Sequence, residues 1–175
     1  MPMKWGRLLG LFVGVVLAAN IVGVQPARAQ FIPGMPPGGT TTVLNFLGSP
    51  VTCTNSVGAP TVFVFNYGLP DVSMANPASN VISINPPVMM KFFNIDPHTA
   101  LFIIGHECGH VHIPTLDEDA ADCFSAKLGV NQGWFSSSDM PAMMVEFQNN
   151  HGDWTHASGP VRLANIQACM QKAGL

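Results

Sequence analysis

The sequence predicts an α+β fold, and three observations carry that expectation. Short apolar runs separated by turn residues fill residues 43–85, an almost wholly apolar helix follows near residues 97–112, and helical spacing then continues to the C-terminus. Strands first and helices after describe a small twisted N-terminal sheet followed by a helical second half.

In the first half, Thr61–Tyr67 (TVFVFNY) and Asn80–Asn85 (NVISIN) have the alternation and β-branched or aromatic content of strands. Asn-Pro and Gly-Leu-Pro punctuate the stretch between them, so a small antiparallel or mixed sheet is expected. The strand at Asn80–Asn85 is expected to offer an exposed edge to which an extended peptide could add. Asp96 can then cap a helix that carries Pro97 in its first turn and ends at Pro114. Thr115-Leu-Asp-Glu118 has the form of a capping box and opens a second helix, expected to run to about Leu128 with Gly129 as its stop. Met140–Asn149 and Val161–Ala173 read as third and fourth helices, with Met140, Met143 and Met144 in the core.

Ahead of this domain, assigned to residues 43–175, lie two segments of different character. Lys4 and Arg7 precede the apolar run Leu8–Val24, and Ala27 and Ala29 fit a small-residue cleavage site, so residues 1–29 read as a secretory signal peptide. Residues 30–42 are rich in Pro and Gly (FIPGMPPGGTTT follows Gln30), a composition that buries little apolar surface and reads as a flexible tether. Removing the leader takes away Lys4, Arg7 and Arg28, leaving four basic residues against ten acidic ones, a charge of −6. Nucleic acid is excluded as a partner on that charge, and no membrane association is expected once the leader is gone. All four cysteines, Cys53, Cys108, Cys123 and Cys169, follow residue 29; an even number in an exported chain predicts two disulfides, with three pairings open.

The chemistry is concentrated in His106-Glu107-Cys108-Gly109-His110. H-E-x-x-H on a helix sets two imidazoles four residues apart on one face, the separation that lets both ligate one zinc ion about 2 Å away. Glu107 beside them is placed to take a proton from a water acidified by the metal and hand it to a leaving amine. The surrounding helix is apolar, and burying two histidines and a glutamate there without a partner would cost several kcal/mol, roughly. A metal supplies the partner. For the third ligand, the position ten residues after His106 is Leu116, which removes the three-histidine arrangement. Glu118 is expected instead, with Asp122 one turn later on the same face accepting a hydrogen bond from a ligand imidazole. Asp117 and Asp119 read as solvated charges at a helix start, His112 as a residue turned off the metal face, His98 as a residue of the first helical turn and His151 as a loop residue.

His106–His110 followed by Glu118-Asp-Ala-Ala-Asp122 resembles the HExxH plus ExxAD pattern of gluzincin zinc metallopeptidases of the HtpX-like and minigluzincin type, and of small exported putative metallopeptidases. Thr155-His156-Ala-Ser-Gly-Pro-Val-Arg162-Leu-Ala is similar to a second segment near the end of HtpX-like peptidases, with Ala157 in place of a proline. The resemblance implies a zincin-like fold with zinc on His106, His110 and Glu118. It also implies a rim position for His156, as a donor to the oxyanion, and for Arg162, which could alternatively pair with Asp122. The departure is the link between His110 and Glu118, much shorter here than in the HtpX-like enzymes. The expectation is therefore a secreted or periplasmic zinc endopeptidase acting on peptide or unfolded protein substrates. The alternatives are an inactive zinc-binding protein of the same fold and a periplasmic metal carrier using His106, His110 and His112.

Overall fold

The computed structural model describes residues 37–175 apart from 47, 137, 144, 149, 150 and 153–155. The expected signal peptide, most of the tether, Met144 and Thr155 lie outside the described residues. Among the described residues the chain is α+β, with the strands in its first half. Strands β1 (Thr40–Thr41), β4 (Val62–Phe65), β6 (Val81–Ile84) and β5 (Ser73–Asn76) form one sheet in the spatial order β1-β4-β6-β5. β4 and β6 are parallel and both outer pairings are antiparallel, a mixed sheet. A separate hairpin joins β2 (Leu44–Phe46) to β3 (Ser49–Val51). The residues just before it, expected as tether, thus supply a sheet edge through Thr40–Thr41.

The edge expectation changes with this topology. Asn80–Asn85 contains β6, which is interior, paired with β4 on one side and β5 on the other. The edge toward the helices is β5, whose sequence Ser-Met-Ala-Asn lacks a clear alternation and gave no strand signal. Strand order depends on pairing partners far apart in the chain, which local patterning does not encode.

Alternation does place the core. Phe63 and Phe65 of β4 and Ile82 and Ile84 of β6 point to one face and are fully buried with Leu44, Phe46 and Val51. Against them packs a helix the sequence reading missed, α1 (Pro86–Ile95), through Met89 and Phe93. Its Pro-Pro start looks like punctuation, yet proline suits the first helical turn, and the Asn85 side chain accepts from Val88 N–H as the cap.

α2 (Pro97–His112) is capped by Asp96, as its sequence indicates, and is buried without interruption from Thr99 to Val111. It packs against α1, β5 and α3 (Glu118–Gln132), so the HECGH stretch sits at the centre of the domain. α3 starts later and ends later than expected. Asp117, not Thr115, is its cap, accepting from Ala120 N–H, and Thr115 Oγ1 accepts from Asp117 N–H just outside. Gly129 lies inside the helix, where a Cβ would collide with the Phe135 ring; the left-handed stop is Gly133 at φ 69°. The expected third helix is helical over α4 (Met140–Met143) and α5 (Val145–Gln148), on either side of a residue outside the described ones, and the fourth is α6 (Gly159–Ala173).

Two disulfides tie these parts together: Cys53–Cys108 joins the segment after β3 to α2, and Cys123–Cys169 joins α3 to α6. They are bonds of an oxidising compartment. No helix among the described residues is long and apolar enough to cross a membrane.

Candidate metal centre

The site is built where α3 crosses α2 at short range. A Cβ on Gly109 would stand 2.9 Å from Ala121 Cα, and one on Gly105 would stand 3.3 Å from Ser125 Cα. Two glycines four residues apart on α2 therefore face Ala121 and Ser125, four apart on α3, and the backbones meet. Ser125 Oγ closes the contact by donating to the Phe102 carbonyl at 2.6 Å. This crossing carries the first turn of α3, with Glu118 and Asp122, against the histidine face of α2. The short link from His110 to Glu118 is long enough because the helices need no spacing layer between them.

His106 and His110 point their Nε2 atoms at each other across 3.0 Å. Glu118 completes the group, its Oε2 3.0 Å from His106 Nε2 and its Oε1 3.5 Å from His110 Nε2. On the far side of each ring the other nitrogen is committed. His106 Nδ1 lies 2.7 Å from Asp122 Oδ1, and His110 Nδ1 lies 2.9 Å from the Thr115 carbonyl. A carbonyl and an ionised carboxylate only accept, so both Nδ1 atoms carry their protons. Both Nε2 atoms are then aimed at one place beside a carboxylate, an arrangement that positive charge there, a metal ion or a proton on His106, makes favourable. Glu118 Oε2 is correspondingly a buried oxygen faced by imidazole nitrogen.

Electrostatics describe the same demand. Burial opposes the His106 imidazolium, but hydrogen bonds to Asp122 and Glu118 and the negative charge of Asp122 and Glu107 outweigh it and raise the pKa to about 9. Burial also opposes ionisation of Glu118, and the facing imidazoles of His106, His110 and His156 overcome it and lower the carboxyl's pKa. Asp122 is fully buried; against that desolvation, the Arg162 guanidinium and His106 hold its pKa below the ordinary carboxylate value. Arg162 binds it in two places, Nε to Oδ2 at 2.7 Å and Nη2 to Oδ1 at 2.6 Å. Arg162 is thus buried behind the histidines and paired with Asp122, away from the rim position that the family resemblance implied.

His156 reaches the same carboxylate, with Nε2 3.1 Å from Glu118 Oε2 and its ring centroid 6.0 Å from that of His106. The ligand-type atoms of His106, Glu118 and His156 all lie within 4.8 Å of one another, a group that could hold a metal ion. Two overlapping triads therefore share His106 and Glu118, one completed by His110 and the other by His156.

Glu107 is held by the sheet edge. Its Oε1 accepts from Ser73 Oγ at 2.9 Å and its Oε2 from the Ala75 N–H at 2.7 Å, both on β5. Ser73 and Ala75 escaped the sequence reading, since nothing in a four-residue strand without alternation marks which backbone N–H will face a helix that follows later in the chain. The remaining histidines stand apart: His112 Nδ1 faces the Thr54 carbonyl at 3.0 Å with its ring against Phe124, and His98 pairs with Asp96. No protein-family model, curated protein or solved structure matches this chain.

Proposed function

We propose that the protein is a zinc-dependent endopeptidase of zincin-like architecture, exported from the cell, that hydrolyses peptide bonds in peptides or unfolded proteins. The observation that carries this reading is the pair of imidazole Nε2 atoms meeting at 3.0 Å beside the Glu118 carboxylate, with Glu107 adjacent on the same helix. Two nitrogens and one carboxylate oxygen are the donor set that suits zinc among common divalent ions. Spacings of 3.0 to 3.5 Å fit as well, because ligands about 2 Å from a tetrahedral ion stand roughly 3.3 Å apart. His106, His110 and Glu118 would hold the ion. Bound there, zinc supplies Lewis acidity that acidifies water and polarises a peptide carbonyl.

The chain's own residues account for the rest. Asp122 and the Thr115 carbonyl fix which nitrogen of each imidazole faces the ligand cluster. Glu107, steadied by Ser73 and Ala75, takes the proton from the attacking water and delivers it to the amine as the C–N bond breaks. β5 is the sheet edge beside Glu107, and an extended substrate would lie near it with its scissile carbonyl beside that carboxylate.

Glu107→Gln tests the reading. The variant should retain one metal per chain and its fold, and should lose cleavage of unfolded casein by at least about a hundredfold. Undiminished cleavage would sink the proposal. A second reading, a metal-binding protein without turnover, gains weight from the closeness of His156 to Glu118. It expects bound metal and no cleavage by the parent chain.

A further inference from the structure

We propose that the Cys53–Cys108 disulfide is a redox-dependent support for His110, so that the metal site is complete only in the oxidised chain and weakens when a dithiol reduces this bond. The inference rests on the metal-site reading above and concerns how that site is regulated.

Successive residues of the motif are held by different neighbours. His106 faces Glu118 and Asp122, Glu107 is gripped by β5, Gly109 lies against Ala121, and Cys108 is bonded to Cys53. Of these, the hold on Cys108 is the covalent one. At about 100° per residue, position 108 is turned roughly 200° from both His106 and His110 around the helix. A reduced Cys108 therefore points off the metal face and offers no replacement ligand. Reduction removes a support and adds nothing in its place.

The segment to which Cys53 belongs is held together by its own hydrogen bonds. Thr61 N–H donates to the Cys53 carbonyl at 2.9 Å, Thr54 bridges Pro60, and the Asn55 side chain accepts from Val57 and Ala59 N–H. It reaches α2 at two places that bracket His110. One is the disulfide at Cys108; the other is the Thr54 carbonyl, 3.0 Å from His112 Nδ1. His112 is exposed, so water competes for that second contact and the covalent one dominates. Just beyond, the link carries the Thr115 carbonyl that fixes the His110 tautomer. His106 has a separate support, Asp122 and Arg162 on α3 and α6. Losing the Cys53–Cys108 bond should thus loosen His110 and leave His106 in place.

The reduction step balances without any further reactant. A thiolate of the dithiol attacks one sulfur, the S–S bond breaks, and the second thiol closes the reagent's own disulfide, leaving Cys53 and Cys108 as thiols with two electrons and two protons gained. Cys108 is 1% exposed and Cys53 5%, so attack waits until the segment parts from α2. The bond therefore answers to a lasting change of compartment, from reducing to oxidising, and the chain takes up its metal tightly in the second.

Zinc affinity is measured on the full chain, oxidised or reduced with dithiothreitol and then freed of reagent under argon. Reduction of the parent should weaken zinc binding by at least about tenfold, and Cys53→Ala/Cys108→Ala should show the same loss without any reductant. Cys123→Ala/Cys169→Ala, whose one disulfide is Cys53–Cys108, should keep the full redox response, and it carries the test if the first variant does not fold. A second readout separates support of one ligand from general loosening. In zinc protein with nitrogen-labelled histidine, the Nδ1–H signals of His106 and His110 should both be present when oxidised, and that of His110 alone should be lost to exchange with water on reduction. Unchanged zinc affinity on reduction, while His106→Ala loses the metal, would overturn the proposal and keep the underlying site. So would loss of both imidazole signals together, since the disulfide would then support the whole domain and not His110. If the oxidised parent takes up no zinc, or His106→Ala and Glu118→Ala retain full metal content, the underlying site reading fails and this proposal fails with it.

Discussion

The two histidines of one motif, on one helix and four residues apart, are supported in opposite ways. Behind His106 stands a buried ionic chain, Asp122 and then Arg162, contributed by α3 and α6. Behind His110 stands a single backbone carbonyl, Thr115, contributed by the link that leaves α2. Both supports fix the same tautomer. They differ in charge and in what depends on them: the carbonyl serves one ring, whereas Asp122 orients a ring, pairs a buried guanidinium and anchors the start of α6. Of two histidines that look equivalent in sequence, one is backed by the carboxylate that joins three helices and the other by a local arrangement.

Breaking the ionic support should therefore cost the fold itself. Arg162→Leu leaves Asp122 buried and without its guanidinium, and should destabilise the chelator-treated protein by about 3–5 kcal/mol in urea unfolding. A loss under about 1 kcal/mol would mean that water reaches Asp122 and the chain is not buried in solution. The next effect separates the two histidines. Asp122→Asn keeps a hydrogen-bond acceptor but removes the charge, and zinc affinity measured by competition with a fluorescent chelator should drop about 10- to 100-fold. Thr115→Ala retains the carbonyl that His110 uses and should give much the smaller loss. Equal losses would show that charge behind the imidazole contributes nothing.

The same contrast divides what the sequence revealed from what it concealed. HECGH, the Asp96–Pro97 helix start and the i to i+4 placement of Glu118 and Asp122 are local, and periodicity with capping chemistry exposes them. The α+β order and the two strongest strands were legible for the same reason. Three things were not. The disulfide pairing, the interior position of β6 and the grip of Ser73 and Ala75 on Glu107 all depend on segments that meet only after folding. α1, which opens on Pro86-Pro87, was not read at all, and the true end of α3 was missed because Gly129 was read as its stop. In the fold the prolines occupy a first turn, and the glycine makes room for Phe135. Arg162 shows the intermediate case. Its pairing with Asp122 was one of two open readings, and only the crossing of α3 with α6 decides between them.

The smallest effect, and the one that depends most directly on the ionic side, is a pH dependence with opposite signs in the two metal states. In chelator-treated protein, folding raises the His106 pKa from an unfolded value of about 6.5 to about 9. A group whose pKa rises on folding binds its proton more tightly in the native state, so its contribution is complete below about pH 6.5 and is lost as pH climbs toward about 9. Asp122 works at the other end: its pKa is lowered on folding, so its contribution is present above about pH 3.9 and is lost as pH falls below that. The chelated protein should accordingly lose stability between pH 6.5 and 9. With zinc bound, the ligands must be deprotonated, so affinity and the stability it confers should rise over the same interval. Thermal midpoints at pH 6, 7.5 and 9, with and without chelator, should therefore diverge as pH increases. Parallel curves would show that His106 carries no extra proton in the metal-free protein, and the charge attributed to the Asp122 side of the site would have to be withdrawn.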